Sequence, residues 1–193
     1  MDKIPIPIPI PSGGAAPVDF TGDTRPDENY EMRIARDGTW FYHGTPIGRI
    51  ALAKLFSTVL RRDAAGDYWL VTPAERGRIT VEDAPFVAVE LKAEGTGEDQ
   101  TLSFRTNLDE WATAGPDHPI RIGADTAPGG TLPGGTLSGA PVPYILVRNG
   151  LEARVGRTVF YELVELAVER QTPQGIELGV WSERTFFPLG PAS

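Results

Sequence analysis

The chain has 193 residues, of which 40% are hydrophobic, and its formal net charge is −8. This apolar fraction is enough to bury a core, so global disorder is excluded, and the excess of acids argues against non-specific nucleic-acid binding. The absence of Cys excludes disulfides and thiol catalysis, and with two His we expect no bound metal and no cofactor. No apolar run reaches the length of a membrane helix and no export signal is recognisable, so we expect a cytoplasmic location without a membrane partner.

The first 30 residues are predicted to form an extended arm and a linker. Residues 4–11 alternate Ile and Pro, and each Pro lacks an N–H group and holds the preceding Ile in an extended conformation. This run is therefore neither a helix nor a central strand. Two alternatives stay open: a free tail, or four Ile side chains that dock on a groove of this chain, of a second copy in a homo-oligomer, or of a partner protein.

Residues 31–123 are predicted to form an N-terminal half with antiparallel strands and one helix. Asp37-Gly38 marks the turn of a hairpin, and Tyr68 to Thr72 is an aromatic and β-branched strand. Between them, apolar residues at helical spacing predict an amphipathic helix from Arg49 to Arg61. The members of this stripe are Leu52, Leu55, Phe56, Val59 and Leu60. Alternating apolar residues from Ile79 to Ile122 predict an antiparallel meander.

A Gly/Pro-rich linker, residues 124–143, precedes a return of the same pattern in residues 144–193. The turn Asp37-Gly38 is repeated by Asn149-Gly150, and a Gly-Arg pair precedes both helices. A second apolar stripe stands 108 positions after the first, formed by Phe160, Leu163, Val164, Ala167 and Val168. We interpret this as an internal duplication and predict an α+β fold of two similar halves, with the C-terminal half packed on the middle strands. Chance recurrence of a strand–helix–strand unit is the alternative.

These motifs resemble the bacterial domain-of-unknown-function family 1285. The resemblance rests on the runs RDGTWFYHGTPIGRIALAKLFSTVL, YWLVTPAE and ITVEDAPFVAVEL, and later on YILVRNGLEARVGRTVFYELVELA and GVWSERTFF. It implies a duplicated α+β core whose C-terminal part is similar to pleckstrin-homology folds. It also implies a signalling role, with a nucleotide-like ligand at the interface of the two halves. The family supplies no catalytic residue.

Arginines cluster near the two turns and the two helix starts. Fifteen of the 18 basic residues are Arg, whose planar guanidinium suits carboxylates and phosphates, and a helix N-terminus adds free N–H groups. The pattern predicts a pocket for a small anionic or nucleotide-like ligand, built by both halves. The candidate ligand-binding residues are Arg36, Asp37, Trp40, Arg49, Asp83, Arg148, Arg154 and Arg157. The structural alternative is that each Arg pairs with an internal acid and braces the fold.

Two other functions compete with a non-catalytic binding or signalling module. A phosphoester or nucleotide hydrolase would use Asp37 or Asp83 as its base, although the sequence favours Asp83 as a hydrogen-bond acceptor in a turn or as a partner of an Arg. Trp40 would either stack on a base or pack in the core. An interaction scaffold would dock another chain through the acidic surface and the arm. No catalytic motif is present, so we expect a module without enzyme activity.

Overall fold

The first part of the chain folds into a six-stranded sheet with one helix. The computed structural model of the protein describes residues 19–20, 27–124, 141–173 and 175–192. The strands of the first sheet are β1 (Asp27–Ile34), β2 (Trp40–Tyr42), β3 (Thr45–Pro46), β4 (Leu60–Arg62), β5 (Tyr68–Val71) and β6 (Arg76–Val81). Their order is β3-β2-β1-β6-β5-β4, with β1 and β6 parallel, and helix α1 (Ile50–Val59) connects β3 to β4.

The second part contains a six-stranded and a three-stranded sheet. The larger sheet comprises β7 (Phe86–Glu94), β8 (Thr101–Thr106), β9 (Trp111–Thr113), β10 (Ile120–Ala124), β11 (Pro141–Arg148) and β12 (Leu151–Val155). Its order is β10-β11-β12-β7-β8-β9, with β12 and β7 parallel. Helix α2 (Arg157–Glu165) follows, and β13 (Val168–Thr172), β14 (Gly175–Ser182) and β15 (Thr185–Pro191) form an antiparallel meander.

The order hairpin, helix, three-stranded meander occurs twice in the described residues. The first occurrence is β1–β2, α1 and β4–β6, and the second is β11–β12, α2 and β13–β15. The predicted α+β fold with two similar parts is therefore confirmed at this level, with strands in excess of helices. The two meanders are used differently, because β6 joins the first sheet beside β1 whereas β13–β15 form a sheet of their own. The likeness to pleckstrin-homology folds stays a prediction.

The buried positions of the two helices agree only in part with the predicted apolar stripes, because Leu163 is a predicted member, whereas Ala53, Ser57 and Val159 are not. α1 buries Ala53 and Ser57, whereas Leu55 of the predicted stripe is 39% exposed. α2 buries Val159 and Leu163. These buried pairs are offset by 106 positions (159 minus 53, and 163 minus 57), so the predicted offset of 108 is wrong for the helices. Apolar residues stand on more than one side of α1, and the last residue of its predicted stripe is already the first residue of β4.

The two predicted hairpin turns are present but differ in type. Gly38 has φ +82° and ends a three-residue loop, in which the N–H of Ala35 donates to the carbonyl of Thr39 at 2.9 Å. The second turn consists of Asn149 and Gly150 alone, with φ +48° and +74°. Positive φ at both central residues is the type I′ geometry that Asn-Gly favours. The first turn is thus the longer of the two, and it contacts the second part of the molecule.

The sheets group the strands differently from the predicted halves. The first sheet ends at Val81, and the second sheet takes strands from both sides of residues 124–143. The division of the chain at that segment stays a prediction. Residues 1–18, with the Ile-Pro run, and residues 125–140 lie outside the described residues. Neither helix of the described chain is long and apolar enough to cross a membrane.

One hydrophobic core joins the two parts. Trp40 and Leu60 of the first sheet are buried in the same cluster as Phe86, Phe104 and Ile145 of the second. Burial of apolar surface is the main driving force of folding. Separating the parts would expose this shared core, so we expect the two parts to fold as one body.

Candidate functional site

Residues 82–87, which we call the connector, run from the end of the first sheet into β7. The first hairpin turn and the start of α2 both approach the side chain of Val87 here. A methyl group on Gly38 would stand 3.2 Å from one methyl of Val87, and one on Gly156 would stand 3.8 Å from the other. Both glycines therefore allow the backbone to approach Val87 closely, and the connector brings two predicted motifs together.

Hydrogen bonds fix this meeting point. The amide of Asn107 donates to the carbonyl of Gly38 at 3.2 Å, and its oxygen accepts the N–H of Val87 at 3.0 Å. The N–H of Gly156 donates to the carbonyl of Ala88 at 2.9 Å. The turn and the helix start are consequently held to the same strand, β7, by their main chains.

Asp83 of the connector is engaged by two side chains of the second sheet. Its carboxylate accepts the hydroxyl of Tyr144 at 2.7 Å and a guanidinium N–H of Arg154 at 2.6 Å. Burial, followed by the bond to Asp83, raises the pKa of Tyr144 to about 12. Arg121 lies 4.3 Å from the centre of the Tyr144 ring and pairs with Glu152. Asp83 is thus an arginine partner, the structural alternative stated above.

The first turn supplies a second carboxylate that is also engaged. Asp37 accepts the N–H of Thr39 at 2.9 Å, and this bond holds the pKa of Asp37 below its ordinary value. The backbone N–H of Arg36 donates to Glu82 at 3.1 Å, and Glu82 also pairs with Arg33. Asp37 therefore stabilises its own turn, and Arg36 is held next to the connector by its main chain.

A cavity of about 470 Å³ opens at the N-terminus of α2. Its lining residues are Pro141, Val142, Pro143, Arg154, Val155, Arg157, Phe160 and Tyr161. Gly156 is the N-cap and contributes no side-chain hydrogen bond, and the first N–H to close a helical bond to it is that of Phe160. The preceding amides, those of residues 157–159, are the orphan donors of a helix start. Arg157 is exposed and forms no ion pair or hydrogen bond with the described part of the chain.

The cavity combines features that suit a small anion with an aromatic or apolar part. The helix start and two guanidinium groups provide positive potential, and Tyr161, with 60% of its surface exposed, provides a ring face. No group of three or more His, Asp and Glu that could bind a metal ion is found within the described ranges. The arrangement can bind an oxyanion, but it offers no free acid or base at the cavity wall.

Comparison with known proteins identifies the family. Residues 17–84 match a domain of unknown function (DUF1285), N-terminal domain, and residues 85–189 match a protein of unknown function (DUF1285), C-terminal domain. The chain belongs to the DUF1285 family. The border between the two domains, at residues 84 and 85, falls within the connector of this DUF1285 protein.

Two solved structures are similar to this DUF1285 chain. The crystal structure of a DUF1285 family protein from Silicibacter pomeroyi DSS-3 is 40% identical, with a TM-score of 0.77 over 94% of this chain and 92% of that chain. A DUF1285 family protein from Shewanella baltica OS155 is 24% identical, with a TM-score of 0.51 over 69% of this chain and 90% of that chain, and shows the fold alone. No curated protein matches the chain.

Three of the predicted site residues of this DUF1285 protein do not line the cavity. Trp40 is 2% exposed and stacks on Phe56 with 6.1 Å between ring centres, so it is a core residue and cannot stack on a ligand. Arg148 is 6% exposed and donates to Glu110 at 2.7 Å and to the carbonyl of Ser57 at 2.8 Å, so it braces α1 on the second sheet. Arg49 is exposed at the N-cap of α1 and does not line the cavity.

The structure also adds aromatic residues that sequence reasoning did not place in a site. Phe160 was assigned to the apolar stripe alone, and Tyr161 was not singled out, yet both line the cavity. Tyr161 follows Arg157 by four positions, so the two share a helix face. An aromatic residue one turn after an Arg at a helix start is the signal in the sequence that would have pointed to them.

Proposed function

We propose that this DUF1285 protein is a binding module for a small anionic, nucleotide-like ligand, held in the cavity at the N-terminus of α2. One observation carries the proposal: Arg157, unpaired among the described residues, stands at an uncapped helix start on the wall of a cavity. Anions bind at such ends because orphan N–H groups and the helix dipole act together, and an Arg adds charge-assisted hydrogen bonds.

The other residues of the cavity have distinct parts in this proposal. The phosphate or carboxylate group would contact the amides of residues 157–159 and the guanidinium of Arg157. Arg154, held by Asp83, keeps a second positive charge at a fixed place on the wall. Tyr161 would lie against the aromatic part of the ligand, because 60% of its surface is exposed and it lines the cavity.

A signalling role, which the family resemblance implies, would use the connector. Arg154 lines the cavity and bonds Asp83, and Asp83 belongs to the segment that joins the two family domains. A ligand that draws Arg154 toward the cavity would therefore weaken its bond to the connector. Binding would bias the packing of the first turn against β7, which is one of the contacts between the two parts.

The hydrolase alternative lacks support from the carboxylates that it requires. Asp37 accepts a hydrogen bond within its own turn, and Asp83 is engaged by Tyr144 and Arg154. A general base has to reach the proton that it abstracts and be free to accept it. We therefore retain the binding module as the proposed function.

Isothermal titration with inorganic phosphate, AMP and ATP tests the proposal. The wild type is expected to bind at least one of these probes, and Arg157→Ala to weaken that binding by about tenfold or more, since a charged hydrogen bond contributes about 1.5–3 kcal/mol. Arg49→Ala is the matched control, because Arg49 also stands exposed at a helix start but lines no part of this cavity. Equal binding by the two variants, or no binding by the wild type, would contradict the proposal.

A further inference from the structure

The first sheet carries a second cleft of about 690 Å³, which is larger than the α2 cavity and has different lining residues. It is lined by the turn residues Gly66 and Asp67, by Tyr68 and Trp69 of β5, by residues 78–81 of β6 and by residues 27–29 of β1. Tyr68 and Trp69 give the cleft two aromatic residues, but its exposed lining is more polar than apolar, because Ile79 is buried in the core and Val81 packs against it. Two of its three acids form ion pairs, Asp27 with Arg76 and Asp67 with Arg78, so the cleft favours an uncharged segment.

The N-terminal part of the chain reaches the molecule beside this cleft. The ring of Phe20 lies edge-on against Trp69, with 5.6 Å between ring centres, and the guanidinium of Arg76 lies 4.8 Å from the centre of the Phe20 ring. Trp69 also lines the cleft. Eighteen residues precede the described residues Asp19 and Phe20, and ten positions separate Ile10 from Phe20, a span of at most about 35 Å when fully extended. The Ile-Pro run is therefore within reach of the cleft.

The Ile-Pro run suits the aromatic part of the cleft, Tyr68 and Trp69. Alternating Pro favours polyproline II and extended conformations, and segments of this kind bind grooves lined with aromatic residues at low entropic cost. The missing N–H groups of Pro prevent the run from adding a strand to the sheet, so side-chain docking remains. Residues 4–11 carry no charge, which suits a cleft in which Asp27 and Asp67 are already paired with arginines. We propose that the cleft formed by β1, β5 and β6 is the docking site for residues 4–11 of the same chain.

A spin label on the full-length protein tests this docking. The chain contains no Cys, so Ser12→Cys introduces a unique labelling position next to the run. In the labelled protein we expect loss of the amide NMR signals of residues 66–69 and 78–81, while those of β8 and β9 in the second sheet are retained. The matched variant replaces Ile4, Ile6, Ile8 and Ile10 by Ser in the labelled chain; the folded core is untouched, and the loss should become clearly weaker, with a residual loss near Trp69 because position 12 stays eight positions from Phe20.

Each outcome decides for or against the proposal. Selective loss that the four substitutions reduce supports it. Signals that stay intact, or a loss of equal size after the four substitutions, overturn it. A control mixes isotope-labelled protein that has no spin label with spin-labelled protein that has no isotope. Loss of the cleft signals in this mixture would mean that the run of a second copy binds the cleft, and it would overturn docking within one chain. The result does not depend on the anion site, because no residue lining the cleft lines the α2 cavity.

Discussion

Replacing Asp83 by Ala removes the acceptor that the connector offers to Tyr144 and Arg154. The side chain of Asp83 is 11% exposed and that of Arg154 is 21% exposed, so the pair is largely withdrawn from water. Removal of one partner from a buried pair costs about 3–5 kcal/mol because the remaining charge stays uncompensated, and a lost neutral hydrogen bond costs about 1 kcal/mol. Since Arg154 keeps part of its hydration, we expect the free energy of unfolding to fall by about 3 kcal/mol.

Urea denaturation of the full-length protein measures this loss. With an m-value of about 2 kcal/mol/M, the midpoint should fall by about 1.5 M. Asp83→Asn keeps an oxygen for the Tyr144 hydroxyl but removes the charge, so its loss should be about half as large. Asp83→Ala combined with Arg154→Met removes the uncompensated cation and should be more stable than Asp83→Ala alone. A midpoint shift below about 0.3 M for Asp83→Ala, or strictly additive costs in the double variant, would refute this reasoning.

Two further predictions concern Tyr144 and Gly38. The pKa of Tyr144 in the folded protein is about 12 against an ordinary 10.0, so its contribution is complete below pH 10 and is lost as the pH rises toward 12. The free energy of unfolding, measured by urea denaturation across this pH range, should therefore fall by about 1–2 kcal/mol more for the wild type than for Tyr144→Phe. Parallel pH curves for the two proteins would contradict the assignment. Gly38→Ala should lower the free energy of unfolding by about 2–3 kcal/mol, because φ is +82° and the new methyl meets Asn107 and Val87. Gly44→Ala, with φ +76° and no atom within 4 Å, should lose only about 1 kcal/mol for the backbone strain, and equal losses would show that the contact is unimportant.

Local patterns in the sequence predict the elements well where a few adjacent residues decide the outcome. Asp37-Gly38 and Asn149-Gly150 both form turns, and a Gly-Arg pair stands at the start of both helices. The type of each turn was not predicted, although Asn-Gly between two strands is a known signature of the two-residue type I′ loop. The buried side of α1 was not predicted, because the apolar residues of α1 alone do not reveal which side meets the sheet, whereas Leu163 of the stripe predicted for α2 is buried.

The candidate site depended on partners that are distant in sequence. Arg148 and Arg157 occupy similar positions near a turn and a helix start, yet Arg148 meets Glu110, 38 positions away, and Arg157 meets none of the described residues. Trp40 looked like a stacking residue, but α1 places Phe56 on its ring. Nothing in the local sequence distinguishes a buried, paired Arg from an exposed one, so the division of the arginines between bracing and binding required the structure.

The parallel pairing of β12 with β7 has a consequence for synthesis of the protein. Phe86 pairs with Ala153, 67 positions further along the chain, whereas the first sheet has all its strands once Val81 has emerged from the ribosome. During the interval, β7 displays a row of unpaired backbone groups, and an unpaired strand edge invites pairing with other chains. A nascent chain that stalls between these two residues would therefore be the form most prone to aggregate.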